Sequence, residues 1–306
     1  MVAEGGQTLA FLNGVVYNEG AMKQFLTDIH THSYFSPDGV DGIEKMLAAA
    51  YEKGVCFYGI SEHIDYDLQE YGIPFYGRGA PTDEEEYFHS ARHLQEDYAG
   101  AMNVLIGVEA GYCDLPKAKQ RYAEMIAARR PDFVINSVHN FNGGDYSKKI
   151  PFYREDGEGN RTVRPKKEAY KEYLATVQRS VEQTEYPYDI VGHIGYCARY
   201  APYEDYSISV NEFQEAWDGV LTAIIRRDKI LEVNTSDKRG RFPFLPSEDV
   251  LKRYYQLGGR KVCFSSDAHQ TPRILDRWDL VIGALKRIGF THLTVPCRGE
   301  HIKVEI

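Results

Sequence analysis

Histidines and acidic residues stand together at the ends of short, apolar, β-prone runs throughout this 306-residue chain. The runs end in Asp28-Ile29-His30-Thr31-His32, Glu62-His63, Glu109, His139, His193 and Asp267-Ala268-His269. A single histidine at a strand end is usually a hydrogen-bonded structural residue, but six such ends in one chain indicate a shared site. Neutral imidazole and carboxylate are the side chains that bind zinc, iron and manganese, so the set predicts a polynuclear metal site.

Seven runs rich in β-branched and aromatic residues alternate with segments of helical periodicity. The runs cover 24–29, 55–60, 103–108, 132–138, 188–192, 229–234 and 261–265. The helical segments cover 42–53, 84–98, 116–129, 167–183, 210–227 and 246–257. This alternation predicts parallel strands joined by right-handed crossovers, an α/β fold. No glycine-rich phosphate fingerprint follows the first run, so we favour a barrel over a dinucleotide-binding sheet.

The histidines and acids fall where a barrel enzyme has its active site. In α/β barrels the site is built at the C-terminal ends of the strands, from the loops that follow them. We therefore predict one barrel domain over residues 1–306, with residues 1–23 as an N-terminal extension. Two long connections, 64–83 and 140–166, are predicted to be active-site loops above the metals, because long loops in compact domains are often lids or binding loops.

The composition argues against several classes of partner. The formal net charge is −9, and acids and bases are interspersed, so the sequence predicts no broad basic face for nucleic acid and no basic membrane anchor. No apolar run reaches the length of about 18 residues that a membrane span needs. The five cysteines form no Cys-x-x-Cys pair, which is typical of reduced thiols. A cytoplasmic enzyme acting on a small molecule is expected.

The chain resembles the PHP superfamily of phosphoesterases, and most closely its histidinol-phosphate phosphatase branch. The resemblance covers roughly residues 24–270 and includes, in the family's order, Asp28 to His32, Ser36-Pro37-Asp38-Gly39, Ser61-Glu62-His63, Gly107-Val108-Glu109, Ser137-Val138-His139, Gly192-His193-Ile194, Glu232 to Ser236 and Ser266 to His269. It implies a distorted seven-stranded (β/α)7, TIM-like barrel with three divalent ions at the C-terminal ends of the strands. Because all these segments occur in the family's order, the match is far more specific than a single His-x-His motif.

The resemblance also implies which residues bind the metals. It places one ion on His30, His32, Glu109 and Asp267, a second on Glu109, His139 and His193, and a third on Asp38, His63 and His269. Spacing alone supports only the local pairs His30 with His32 and Asp267 with His269, because residues at i and i+2 of an extended strand point to the same side. With nitrogen and oxygen ligands, zinc, iron and manganese are all suitable ions.

The expected activity is hydrolysis of a phosphomonoester, L-histidinol phosphate in this branch. Two metals bridged by a carboxylate are expected to lower the pKa of a shared water and so produce a hydroxide nucleophile. Asp267, His269 and Arg199 are the predicted catalytic residues, with Arg199 as a phosphate clamp. Either Asp267 or a water would protonate the leaving alkoxide. Weaker candidates for binding phosphate are Arg161, Lys238 and Arg239.

Two positions depart from the family pattern. Gly195 stands where the branch often has an aspartate, and this departure counts against L-histidinol phosphate as the substrate. Glu62 stands where many members have an aspartate, and we expect it to steady His63.

Several other functions fit parts of the pattern. The superfamily includes nuclease modules attached to polymerases, but the acidic charge argues against DNA as substrate. An amidohydrolase-type hydrolase would share His-x-His and a late aspartate, yet would not need the Asp-x-His ending at Asp267. A non-catalytic sensor with a decayed site should have lost a ligand, and none is missing. Another phosphomonoester, or phosphotyrosine, stays open as the substrate.

Overall fold

The computed structural model describes residues 9–12, 15–18, 25–237 and 239–306. The strands in these residues are β1 Leu9–Leu12, β2 Val15–Asn18, β3 Leu26–Asp28, β4 Val55–Ile64, β5 Asn103–Gly111, β6 Phe133–Ser137, β7 Asn140–Phe141, β8 Gly144–Asp145, β9 Tyr153–Glu155, β10 Arg161–Val163, β11 Ile190–Val191, β12 Ile230–Asn234, β13 Val262–Ser265, β14 His292–Cys297 and β15 Glu300–Glu305. The α-helices are α1 Ile43–Glu52, α2 Tyr66–Tyr71, α3 Glu84–Asp97, α4 Pro116–Arg129, α5 Lys166–Gln183, α6 Val210–Arg226, α7 Glu248–Gln256 and α8 Trp278–Ile288. Short 3-10 turns cover Ile150–Phe152, Tyr196–Arg199 and Thr271–Arg273.

Seven parallel strands form a nearly closed barrel with helices between them. Their order in the sheet is β3, β4, β5, β6, β11, β12 and β13. The two outer strands meet just beyond their C-terminal ends, where Thr31 and Ala268 form a parallel bridge. The His32 N–H donates to the Ala268 carbonyl at 2.8 Å, and the Asp267 N–H donates to the His30 carbonyl at 2.8 Å. The predicted seven-stranded α/β barrel is confirmed.

Several strand bounds differ from the sequence prediction, and the pairing of the strands explains the differences in β4 and β11. Strand β4 does not end at Ile60 but continues to Ile64, because it pairs in register with β5 as far as Ile64 opposite Ala110. Strand β11 is reduced to Ile190–Val191, the two residues that pair with both of its neighbours. The longer β4 carries His63 to the end of the barrel as part of a paired strand, which fixes its backbone more firmly than a loop would.

Helix α3 illustrates how the local sequence fixes an outer helix. The Asp83 carboxylate accepts a hydrogen bond from the Glu86 N–H at 3.1 Å and so caps the helix start, where acidic side chains also complement the helix dipole. Buried Tyr87 and Phe88 face the sheet. The Tyr87 hydroxyl donates to the Gly107 carbonyl at 2.7 Å, which ties the helix to β5.

A C-terminal hairpin closes the end of the barrel opposite to the site. Strands β14 and β15 pair antiparallel, and their buried Val295 and Val304 complete a cluster with inward-facing residues such as Phe57 and Ile135. Arg298 beside this hairpin donates from Nε to Asp132 Oδ1 at 2.9 Å, at the start of β6. Neither the hairpin nor α8 was predicted from the sequence.

The predicted N-terminal extension, residues 1–23, lies largely outside the described residues. Its two described segments are strands: β1 pairs antiparallel with β2, and β2 pairs parallel with β15. The single-domain organisation over residues 1–306 stays a prediction. Among the helices that the structure describes, none has both the length and the apolar character needed to span a bilayer.

Candidate metal centre

The fold brings all nine predicted ligand residues to one end of the barrel. Eight of them lie at or just after the C-terminal ends of barrel strands, because parallel strands all end on the same side. His30 and His32 follow β3, His63 ends β4, Glu109 lies near the end of β5, His139 follows β6, His193 follows β11, and Asp267 and His269 follow β13. Asp38 comes from the loop after β3. Strand β12 provides none of the nine.

Glu109 is the centre of the cluster. Its Oε1 lies 2.8 Å from His193 Nε2 and 3.2 Å from His139 Nε2. Its Oε2 lies 3.0 Å from His63 Nδ1 and 3.4 Å from His30 Nε2. The carboxylate is almost completely buried. One carboxylate therefore reaches imidazoles from four other strand ends, which is the arrangement expected of a ligand shared between ions.

Three groups of ligand atoms are each compact enough to hold one ion. The atoms of each group lie within 4.8 Å of one another, and the groups are His30, His32 and Asp267; Glu109, His139 and His193; and His32, His63 and His269. The first two groups fall within the predicted ligand sets. The third contains His32 where the prediction has Asp38. Asp38 is nevertheless close, with its Oδ1 3.1 Å from His269 Nε2 and 3.7 Å from His63 Nε2.

The geometry of the cluster fits bound cations better than hydrogen bonding. His63 Nδ1 and His269 Nε2 are buried and lie near Glu109 and Asp38, yet neither nitrogen has a hydrogen-bond partner. His30 Nε2 and His32 Nε2 lie 2.9 Å apart. Buried polar atoms normally find partners, so converging nitrogens and oxygens without them fit a metal between them. The oxygen and nitrogen donors suit zinc, iron or manganese.

Electrostatics within the cluster keeps its carboxylates charged. Burial by itself would raise the pKa of Glu109, but the neighbouring imidazoles of His30 and His139 outweigh burial and hold this pKa well below its usual range. Burial would likewise raise the pKa of Asp267, but the neighbouring imidazoles of His30 and His32 outweigh it and hold this pKa well below the usual range. The pKa of His63 is raised to about 10, because Glu109 more than offsets the effect of burial. Charged carboxylates at this depth suit a cation-binding site.

The loop after β3, which carries Asp38, is held by the first long connection. Gly77 has φ 56°, and any side chain there would run into the Pro37 carbonyl, so the two loops pack backbone to backbone. The Arg78 guanidinium donates to the Gly39 carbonyl at 2.7 Å and also to the carbonyls of Tyr34 and Ser36. This contact fixes Asp38 beside His63 and His269, and no sequence motif indicated it.

Glu62, which the sequence predicts to steady His63, is linked to it through Ser36 and not by a direct hydrogen bond. Its carboxylate accepts instead from the backbone N–H and hydroxyl groups of Ser33 and Ser36. Ser36 Oγ lies 3.1 Å from His32 Nδ1 and also accepts from the His63 N–H at 2.9 Å. Glu62 therefore holds the turn after His32, and its influence on His63 passes through Ser36.

Glu232 belongs to a segment that matches the family, but the sequence analysis assigned it no role in the site. It lies in the middle of β12 and is fully buried, and its Oε1 lies 2.5 Å from His30 Nδ1. A second signal in the sequence is its position two residues before Asn234 within an apolar run, which places both side chains on the same face of the strand.

A cavity of about 420 Å³ opens above the cluster and reaches down to Glu109. The first long connection contributes Asp65 and Tyr76 to its wall, and the second contributes Asp145 and Ser147. Arg199 and Arg239 also line it, among the residues that the structure describes. Arg161 lies on exposed β10 and stacks on the Tyr153 ring, and it is not part of the cavity wall. Lys238 lies outside the described residues.

Arg199 is buried beside the candidate metal ligands. Its Nη2 donates to Asn234 Oδ1 at 2.7 Å, and its Nη1 lies 4.0 Å from Asp267 Oδ2. The Nε of Arg199 is buried without a hydrogen-bond partner. Gly195 begins the turn that leads to Arg199 with φ 94°, a conformation that an aspartate would adopt only with strain. The departure from the family pattern at this position is therefore compatible with the local fold.

Asp267 occupies a strained position between its neighbours. Its backbone has φ 52°, which is uncommon for a residue other than glycine although asparagine and aspartate tolerate it best. The carboxylate lies 3.4 Å from His32 Nε2, and Asn234 Nδ2 donates to it at 3.2 Å. Strain of this kind is often found at functional sites, where surrounding structure enforces it.

Comparison with known proteins agrees with this geometry. The sequence profile of the PHP domain family matches residues 28–236. The histidinol-phosphatase of Lactococcus lactis is 31% identical over 273 residues, which cover 87% of this chain and 92% of the relative. A probable histidinol-phosphatase of Clostridium acetobutylicum is 31% identical over 243 residues, covering 79% of this chain and 86% of the relative.

A solved structure extends the similarity to the whole fold. The crystal structure of histidinol phosphate phosphatase from Lactococcus lactis, in complex with zinc, L-histidinol and phosphate, superposes with a TM-score of 0.77 and 28% identity. The superposition covers 91% of this chain and 99% of that structure. The match of the profile over most of the chain, and of sequence and fold over nearly the whole length, leads to one conclusion: the chain belongs to the PHP domain family.

Proposed function

We propose that the protein is a metal-dependent phosphomonoesterase that hydrolyses L-histidinol phosphate to L-histidinol and phosphate. The observation that carries the proposal is the buried cluster around Glu109 at the base of a cavity lined by Arg199. Relatives named histidinol-phosphatase at 31% identity support the substrate. The location predicted from the sequence, the cytoplasm, stays a prediction.

The cluster would hold three divalent ions of zinc, iron or manganese. We assign His30, His32 and Asp267 to the first ion, His139 and His193 to the second, and Asp38, His63 and His269 to the third, with Glu109 shared by the first two. Ions bound there would supply Lewis-acid activation of water and positive charge for the phosphoryl group. The distances among the ligand atoms support these sets.

Arg199 is the residue of this chain best placed to bind the phosphate. It is held by Asn234 and near Asp267, so its guanidinium is already oriented before substrate arrives. A phosphate oxygen would satisfy the unpartnered Nε with a charge-assisted hydrogen bond. Together with Asp267 and His269, Arg199 completes the set of residues that we assign to catalysis.

Substitution of Arg199 by alanine is expected to raise KM for the phosphomonoester more than it lowers kcat. One charge-assisted hydrogen bond contributes about 1.5–3 kcal/mol, so the rise should be roughly 10- to 100-fold. Steady-state kinetics with a fixed metal content would measure it. Arg161→Ala is the matched control, because Arg161 is exposed and outside the cavity wall. An unchanged KM in Arg199→Ala would show that Arg199 does not bind phosphate.

The rest of the cavity suits a cationic leaving group. Three carboxylates outside the metal sets line it, Asp65, Asp145 and Asp237. The rings of Tyr76, Tyr196 and Tyr200 also line the wall. L-Histidinol has an ammonium group and a flat imidazole ring, which match acidic and aromatic walls respectively. An anionic phosphorylated sugar acid would meet repulsion in the same space.

Phosphate release from a panel of phosphomonoesters tests the proposal. The protein would be reconstituted separately with zinc, iron and manganese and assayed on L-histidinol phosphate, an aryl phosphate and several metabolite phosphomonoesters. We expect kcat/KM for L-histidinol phosphate to exceed the others by on the order of 100-fold or more, an advantage of about 2.7 kcal/mol. Similar, slow rates on all substrates would keep the phosphoesterase chemistry but reject this substrate. No release from any of them would reject both.

A further inference from the structure

Glu232 connects two of the three ligand groups from a strand that contributes no ligand. Its Oε1 lies 2.5 Å from His30 Nδ1, and its Oε2 accepts from the backbone N–H of His193. His30 belongs to one group of ligand atoms and His193 to another. All three residues are almost completely buried, so neither donor can turn to solvent instead.

We propose that Glu232 is a positioning residue that prepares the first and second ion sites together and leaves the third site unaffected. The inference rests on the proposed metal-dependent function. Glu232 itself is not a ligand in this proposal, because its carboxylate faces the Nδ1 side of the His30 ring while the Nε2 side faces His32 and Glu109.

The chemistry of His30 explains why a carboxylate is needed. A neutral imidazole has one N–H and one lone pair, and only the nitrogen with the lone pair can bind a metal. A carboxylate next to Nδ1 keeps the proton on Nδ1 and leaves the Nε2 lone pair free for the ion. The observed contact therefore selects the tautomer that His30 needs to act as a ligand together with His32.

The contact with the His193 N–H means that both oxygens of Glu232 must accept hydrogen bonds, which an amide side chain cannot do. The His30 Nδ1–H and the His193 N–H are both donors, so both oxygens of Glu232 must accept. Glutamine offers one oxygen and one NH2 group, and whichever way it turns, one buried donor faces another donor. If the NH2 group faces His30, the proton moves to Nε2 and the first site loses a ligand. If it faces His193, the turn that holds the second site is displaced.

The third site has no direct contact with Glu232. His63 and His269 are near Asp38, and the loop that carries Asp38 is held by Gly77 and Arg78. Loss of the Glu232 carboxylate should therefore weaken the binding of the first and second ions and leave the binding of the third unchanged. A general loss of stability would instead weaken the binding of all three ions.

Equilibrium dialysis of Glu232→Gln against graded, buffered free Zn²⁺ tests the inference, with bound metal counted by elemental analysis. In the wild-type protein we expect three ions. In the variant, two ions should bind about 10- to 100-fold more weakly, which is the loss of affinity found when hydrogen-bond partners of metal ligands are removed. The third ion should bind as before. Excess Zn²⁺ should restore turnover of the variant, because the ligands themselves are intact.

Asp132→Asn is the matched control, the same acid-to-amide change at a buried position on the opposite end of the barrel. Asp132 accepts from Arg92, Arg298 and the Ile106 N–H, so this control should lower the melting temperature while keeping all three ions. If Glu232→Gln binds three ions with wild-type affinity, or loses all three equally, the inference is wrong. If the wild-type protein itself binds no metal, the proposed function fails first and this inference with it.

Discussion

Replacement of Glu109 by glutamine is expected to lower kcat about 1000-fold or more, since the site would lose several kcal/mol of transition-state stabilisation. Glu109 lies within 3.4 Å of imidazole nitrogens from His30, His63, His139 and His193. Glutamine keeps the volume of the side chain but has no negative charge and only one oxygen. It cannot serve two ions at once, so both the first and the second site should weaken.

Kinetics and metal content of Glu109→Gln should be measured together with its thermal unfolding. We expect less bound metal and very slow turnover, with a folded protein. Asp132→Asn again provides the comparison, because it changes a buried acid to an amide far from the metal ligands. Turnover of Glu109→Gln within tenfold of wild type would exclude a shared carboxylate between the first and second ions.

Removal of metal by a chelator is expected to abolish turnover and to lower the melting temperature by about 10 °C or more. The buried carboxylates of Glu109 and Asp267 and the imidazoles around them are held close together, and ions that bind only the folded state stabilise it. At free metal concentrations 100 to 1000 times above the dissociation constant, each ion contributes about 2.7–4.1 kcal/mol. Because stabilisation by a bound ion grows with the free ion concentration, the shift in melting temperature should depend on metal concentration.

The experiment compares melting curves and rates of chelated protein before and after addition of zinc, iron or manganese. Recovery of both properties on addition of at least one of these ions is the expected result. In Glu109→Gln the melting temperature should respond much less to added metal, which separates binding at this cluster from binding elsewhere on the surface. Full activity after exhaustive chelation would contradict metal dependence.

The positions of the strands could be predicted from the sequence because they depend on local patterns. Short β-branched runs between amphipathic segments specify strand and helix within a few residues, and the alternation specifies parallel strands. Helix Pro116–Arg129 begins and ends as predicted, at a proline start and before Arg130-Pro131. The hairpin of β14 and β15 was missed because its alternating, mixed sequence becomes a strand pair only when Val295 and Val304 close the end of the barrel.

Eight of the nine proposed metal ligands were also accessible, since they stand at strand ends and parallel strands share one active end, whereas Asp38 was indicated only by the resemblance to the family. His30 and His32, and Asp267 and His269, could even be paired by their i, i+2 spacing. The sequence by itself therefore determined the architecture, the chemical class of the site and nine residues that meet there.

What only the tertiary structure decided is how those residues contact each other. His30 and Glu232 are 202 positions apart, and their contact exists because β3 and β12 are curved into one barrel. Arg78 donates to backbone carbonyls of the loop that carries Asp38. Every residue type has a backbone carbonyl, so the sequence does not indicate these contacts. The physical reason is the same in both cases: local propensity fixes where a strand ends, whereas closure of the sheet fixes which side chains face each other across it.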